Sequence, residues 1–152
     1  MALPTYKIYL DVCCLNRPFD DQSQARIRLE AEAILLIMAR LQTNEWQWLS
    51  SGAISHEVSQ TPNPEIRHRV QVLTTAVHQV VPLTHTEISR AKILQTFGFK
   101  QWDALHLACA ESGQADIFLT TDDKLLQLAQ RLTDQLKVRV ENPLAWLTEV
   151  TE

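Results

Sequence analysis

Five short runs of β-forming residues, each separated from the next by a helical pattern, limit what this chain can become. The runs lie at residues 6–10, 46–49, 77–83, 117–121 and 137–140. Helical patterns occupy 23–41, 64–76, 84–98, 102–111 and 123–131, with a short helix after residue 51 and a closing turn at 143–147. Such alternation selects a parallel sheet covered by helices on both faces, because a parallel connection needs a crossover long enough to hold a helix. No repeat, linker or low-complexity tract interrupts it, and 152 residues suit one domain with one core. The expectation is a single α/β domain over residues 1–152 with a mostly parallel five-stranded sheet flanked by helices.

Local signals mark the boundaries. Ser23 stands where a cap is wanted for the helix at 23–41, whose apolar face is Ile27, Ala31, Ile34, Leu35, Met38 and Leu41. Residues 12–21, with Asn16, Pro18, Asp20 and Asp21, read as a loop. Ser51 or Ser55 opens a short helix carrying Glu57 in its first turn. Asn63 caps the next helix and Pro64 starts it. Thr84-His85-Thr86-Glu87 matches a capping box, and Gly113 stops the helix at 102–111.

The carboxylates are the candidates for chemistry. Ligands of open parallel sheets sit beyond the carboxyl ends of the strands. Asp11 follows the first strand there, and Asp122 with Asp123 follow the fourth. Asp103 opens a largely apolar helix, and Glu57 stands on the helix after the second strand. Taken singly, each has a plain explanation as a helix cap or as a charge favoured by the helix dipole at about 0.3–1 kcal/mol. Together they form an oxygen-rich set suited to hard cations, which would remove the repulsion among them. The net charge of −4, from 14 basic and 18 acidic residues, looks wrong for a nucleic-acid binder. With four acids assigned to metal, the remainder balances at 14 against 14.

Other features exclude whole classes. No apolar run reaches the roughly 20 residues needed to span a bilayer, and the first six residues lack the basic start of a secretory signal. A cytoplasmic protein is expected, with no membrane partner. The three cysteines, two of them the adjacent Cys13 and Cys14, form no disulfide framework and no CxxC zinc motif, so they read as reduced, packed thiols.

Tyr9-Leu10-Asp11, Ser55-His56-Glu57-Val58, Trp102-Asp103-Ala104-Leu105-His106-Leu107-Ala108 and Leu119-Thr120-Thr121-Asp122 resemble, in order and spacing, the four acidic motifs of the PIN-domain family. The ending Val140-Glu141-Asn142-Pro143 resembles its C-terminal strand and turn, so the resemblance spans nearly the whole chain. It implies a PIN-like, Rossmann-like three-layer fold and a Mg²⁺- or Mn²⁺-dependent ribonuclease. Many small members, of the VapC-like kind, are the toxin half of toxin–antitoxin pairs, often homodimeric and silenced by an antitoxin protein. Carried over, Asp11, Glu57, Asp103 and Asp122 are the catalytic and metal-binding acids. Thr120 holds the loop or a carboxylate by its hydroxyl, and Asn16 and Arg17 stand near the pocket.

Cys13 occupies a position where the family often has Ser or Thr, and a thiol is a poor hydrogen-bond donor. Asp123 competes with Asp122 as fourth acid, although Asp122 fits the Thr-x-Asp spacing. His106, three residues after Asp103, reads as a buried, hydrogen-bonded histidine rather than a ligand, and Trp46 and Trp48 as core. Arg17, Arg26, Arg28, Arg67, His68 and Arg69 read as a solvated face before an RNA path, and Trp102 as a lesser candidate for substrate contact. The alternative function is a PIN fold kept for binding RNA or protein with little or no catalysis. A haloacid-dehalogenase-type phosphotransferase is excluded by Cys13 where a second Asp is required, and a receiver-like domain by the lack of a placeable Lys. A flap-type DNA nuclease needs more acids and more helices than 152 residues hold.

Overall fold

The computed structural model describes residues 5–151; residues 1–4, which carry part of the N-terminal reading, and residue 152 lie outside the described residues. The strands are β1 (Lys7–Leu10), β2 (Gln47–Ser51), β3 (Gln79–Val81), β4 (Ile117–Leu119) and β5 (Arg139–Glu141). The helices are α1 (Val12–Asn16), α2 (Ala25–Gln42), α3 (Gly52–Ser59), α4 (Pro64–Leu73), α5 (His85–Thr96), α6 (Gln101–Ser112), α7 (Asp123–Arg131) and α8 (Pro143–Thr151). The strands pair in the order β3-β2-β1-β4-β5, and all four pairings are parallel. This is the three-layer α/β architecture expected from the alternation. No described helix is long and apolar enough to cross a membrane.

The order has a functional consequence. The chain winds outward from β1 to β2 and β3, then returns to β4 beside β1. The topological switch therefore lies between β1 and β4, where crossovers diverge and leave a crevice. Asp11 stands immediately beyond β1, where its backbone N–H donates to Leu119 O of β4 at 3.0 Å.

Consecutive residues of β1, β2 and β4 are buried without alternation, because helices cover both faces of the sheet. Tyr9 is stacked on Phe118, with ring centroids 5.2 Å apart and planes at 11°, and it meets His106 of α6 edge-on. Trp46 and Trp48 are buried, and Trp46 lies against Trp146 of α8 with centroids 5.1 Å apart, so both are core.

Several boundaries differ from the sequence reading. Residues 12–19 form α1 and a 3₁₀ turn (Arg17–Phe19) instead of a loop. Asp11 starts α1 by accepting from Val12 N, and Pro18 pre-sets the backbone of the turn. Ser23 does not cap α2. Gln24 occupies that place without a side-chain bond, while Ser23 N donates to Asp21 Oδ1 at 2.9 Å and closes a local turn. Leu35, placed on the core face, is 56% exposed; the buried positions are Ala31, Ala33, Ile34, Ile37, Met38 and Leu41, together with Glu30, and Ala33 and Ile37 are core residues the sequence reading did not name. Glu57 is the sixth residue of the eight in α3 and so lies toward its C-terminus, not in the first turn. The expected caps at Ser51, Asn63–Pro64 and Thr84–Glu87 are all present.

Gly113, which ends α6, is required for space rather than for an unusual backbone angle. A Cβ there would lie 2.5 Å from Leu49 Cδ2 and 2.9 Å from Val81 Cγ2. Leu49 is 1% exposed and has nowhere to move. Gly113→Ala is expected to cost about 1–3 kcal/mol by overpacking, read as a lower urea midpoint at unchanged m-value. An unchanged midpoint would show that the α6–sheet contact is looser than this.

Candidate functional site

Asp11 is the deepest of the four acids, only 7% exposed. Its Oδ1 accepts from Val12 N at 2.8 Å and its Oδ2 from the Thr120 hydroxyl at 2.9 Å. Burial pushes the carboxyl up, the Glu57 charge adds to this, and His106, Thr120 and the Val12 N–H oppose it. Thr120 lies just past β4 and does two jobs. Its O–H donates to Asp11, and its oxygen accepts from Asp122 N at 3.1 Å. The role expected for Thr120, holding a carboxylate by its hydroxyl, is present as geometry.

Asp122 is the N-cap of α7, with Oδ1 accepting from Lys124 N at 3.0 Å and Leu125 N at 3.3 Å. Asp103, in the first turn of α6, lines the same cleft as Asp122, together with Lys100, Lys124 and Phe99. Asp103 is half-buried and its carboxyl is pushed up to about 6, first by burial and then by the charges of Asp11 and Asp122; His106 and Lys100 pull the other way. Glu57, half-buried, accepts from His106 Nε2 at 2.8 Å.

Asp123 points elsewhere. Both its oxygens accept from Arg26 at 2.7 Å, which holds its carboxyl below the usual range, and it is exposed. Asp122, not Asp123, shares the cleft with Asp103. Asn16 is half-buried beside Arg17, and its Oδ1 is buried without a partner among the described residues. Arg17 and Arg26 do not form a free basic face: both lie against the buried carboxylate of Glu30, at 3.0 and 3.3 Å.

Two contacts had no signal in the reading of single residues. Cys13 Sγ lies 3.5 Å from Asp11 Oδ2 and 3.3 Å from Thr120 Oγ1, and accepts from Thr121 N. The thiol thus touches both the Asp11 carboxylate and the Thr120 hydroxyl that holds it. Tyr9, two residues before Asp11, was read as a strand former within the first acidic motif and given no task of its own; its hydroxyl joins Ser51 and His106. The i, i+2 spacing from Asp11 was the available clue.

Chemically, four carboxylates from four elements gather where the sheet opens, and three pairs of them feel one another's charge: Asp11–Glu57, Asp103–Asp11 and Asp103–Asp122. The donors are hard oxygens, which suits Mg²⁺ or Mn²⁺. As the side chains stand, no three His, Cys, Asp or Glu groups among the described residues close tightly enough around one point to hold an ion.

The raised carboxyl of Asp103 has a consequence for stability. Its folded value of about 6 lies above the unfolded 3.8, so the folded state binds the extra proton and stability declines as pH rises from 4 to above 6. In metal-free buffer at pH 8, Asp103→Asn is expected to be more stable than wild type by about 1–2 kcal/mol, once water screening at a partly open site is allowed for. The gain should vanish below about pH 4. Chemical denaturation at the two pH values checks this, and equal stability at pH 8 would mean the charge is not strained.

No model of a known protein family matches the sequence, and no curated protein matches it. Solved structures similar to it include the following two. One is the crystal structure of VapBC2 from Rickettsia felis bound to a DNA fragment from their promoter, with a TM-score of 0.60 and 14% identity over 90% of this chain and 98% of that one. The other is the structure of VapBC-1 from nontypeable Haemophilus influenzae, with a TM-score of 0.59 and 18% identity over 90% and 98%. These likenesses run through nine-tenths of the chain, and what they establish is its fold: the PIN-type three-layer α/β fold that its four acidic motifs resemble.

Proposed function

We propose that the protein is a metal-dependent endoribonuclease that hydrolyses RNA phosphodiester bonds at the carboxylate cluster. The observation that carries this reading is the state of Asp103: a half-buried carboxyl pushed up to about 6 by burial and by the charges of Asp11 and Asp122, with no hydrogen bond among the main influences on it. A site that gathers like charges with only partial compensation from His106 and Lys100 is suited to a cation. Asp11, Glu57, Asp103 and Asp122 would hold Mg²⁺ or Mn²⁺, which when bound would activate a water and stabilise the leaving oxygen.

The chain's own residues then have definite tasks. Thr120 and Val12 N fix the plane of the Asp11 carboxylate. The first turn of α7 fixes Asp122. Lys100 and Lys124 line the cleft and are placed to meet phosphate oxygens. Trp102, 36% exposed and stacked on His56 at 5.0 Å, offers an aromatic face next to Asp103 and Glu57 for an unpaired base.

Partners follow as part of the same proposal. The similar structures are VapBC complexes, and this supports a toxin whose activity is restrained by an antitoxin protein. An apolar groove of about 450 Å³ lies between α2 and α4, lined by Leu15, Phe19, Leu35, Met38, Val72 and Leu73. Exposed apolar surface of this kind marks an interaction site, for such a partner or for a second copy. The loose convergence of the acids favours a second reading, a PIN fold that binds RNA or protein and cuts little or nothing.

Purified protein incubated with structured RNAs and single-stranded DNA, in Mg²⁺, in Mn²⁺ and in chelator, separates these readings. The expected outcome is RNA cleavage only with metal, reduced roughly 100-fold or more in Asp103→Asn and Asp11→Asn. No cleavage, in a protein that takes up no Mn²⁺ by calorimetry, would favour the binding module.

A further inference from the structure

Behind Glu57 runs a file of buried polar side chains that the packing of the sheet does not require. Ser51 Oγ lies 2.7 Å from Tyr9 Oη, Tyr9 Oη lies 2.7 Å from His106 Nδ1, and His106 Nε2 lies 2.8 Å from Glu57 Oε1. Ser51 and Tyr9 are fully buried and His106 is 1% exposed. Ser51 has a task of its own as the N-cap of α3, but apolar side chains of similar shape in place of Tyr9 and His106 would fill the space without the cost of drying two polar groups.

With the His106 imidazole neutral, the direction of each bond follows from chemistry. A carboxylate only accepts, so Nε2 of His106 carries the proton. A neutral imidazole has one N–H, so Nδ1 accepts and the Tyr9 O–H donates to it. The Tyr9 oxygen is then free to accept from the Ser51 O–H, and the Ser51 oxygen accepts from Ile54 N at 3.2 Å. Donors run one way, Ser51 to Tyr9 to His106 to Glu57, with none left over.

We propose that Tyr9 and His106 are positioning residues: the file locks His106 in its Nε2–H form and thereby holds the Glu57 carboxylate in one orientation toward the other acids. The proposal rests on the metal-site reading above. Carboxylates that bind metal are themselves oriented by hydrogen bonds from a supporting layer, and loss of such a partner typically costs 10–100-fold in affinity or activity. His106 belongs to that layer and is not a ligand. The file also ties β1, which delivers Asp11, to α3, which delivers Glu57, through one ring on α6.

Two measurements test it. Nitrogen NMR of histidine in metal-free protein reads the tautomer without any activity, and calorimetry with Mn²⁺ alone reads the site. Nε2–H at His106 is expected in wild type. His106→Leu should bind Mn²⁺ roughly 10–100-fold more weakly, and His106→Gln, whose amide can still donate to Glu57, should recover most of the loss. RNA cleavage should lose kcat with KM unchanged. A folded His106→Leu that binds Mn²⁺ like wild type, or an Nδ1–H tautomer, overturns the proposal while the nuclease reading stands. Should His106→Leu not fold, Tyr9→Phe decides: weakened Mn²⁺ binding supports the file, and unchanged binding overturns it. Wild type that takes up no Mn²⁺ overturns the metal-site reading and this inference with it, a result distinguishable because the tautomer is still observed.

Discussion

One hydroxyl joins the two halves of the site. Thr120 has a single proton, given to Asp11 Oδ2, and an oxygen that receives the N–H of Asp122. Asp11 ends β1 and Asp122 begins α7 just after β4, so this pair of bonds pins the strand ends together where the crossovers diverge. A buried carboxylate at that place would otherwise be costly, and each bond it accepts offsets part of the cost. The Cys13 thiol completes the same cluster, touching both Asp11 and Thr120. A position where a thiol looked poorly suited from the sequence still touches both groups, through a softer atom.

The legible parts of the fold were those written in local chemistry. The capping box at Thr84–Glu87, the Asn63–Pro64 start and the strand ending at Asp11 depend on neighbours a few residues away, and they stand as read. The start of α2 did not: Asp21, two residues earlier, draws the Ser23 N–H into a local turn, and the helix begins at Ala25 with Gln24 in the N-cap place. Glu30 gave no signal at all. A glutamate on a helix reads as solvated, yet this one is buried between Arg26, four residues before it on α2, and Arg17 and Asn142, which lie outside that helix and are brought to it by the fold. Asp11, Asp103 and Asp122 were legible by position, at a strand end or a helix start, whereas Glu57 was read into a first turn it does not occupy and Tyr9 was hidden by being an ordinary strand residue.

The same ion pairs explain the distribution of charge. Arg17, Arg26, Arg69, Arg90 and Arg139 each face a carboxylate within 3.3 Å, so much of the arginine content is structural. Arg26 is the clearest case: it binds Glu30, the Thr121 carbonyl and both oxygens of Asp123, and so takes the second acid of the Asp122–Asp123 pair away from the cleft. What separates two adjacent aspartates is thus an arginine 97 residues away in sequence.

Glu57 is the acid that local stability does not explain. Asp122 and Asp103 sit at helix N-termini, where the dipole favours a negative charge, and Asp11 is held by a backbone N–H and a hydroxyl. Glu57 stands toward the C-terminus of α3, where the same dipole is unfavourable, and its recorded polar partner is the ring of His106. A carboxylate placed against its helix, next to Asp11 and held from behind by a buried histidine, gains little for the folding of α3. Its placement makes sense as the requirement of a site that draws on β1, α3, α6 and α7 at once.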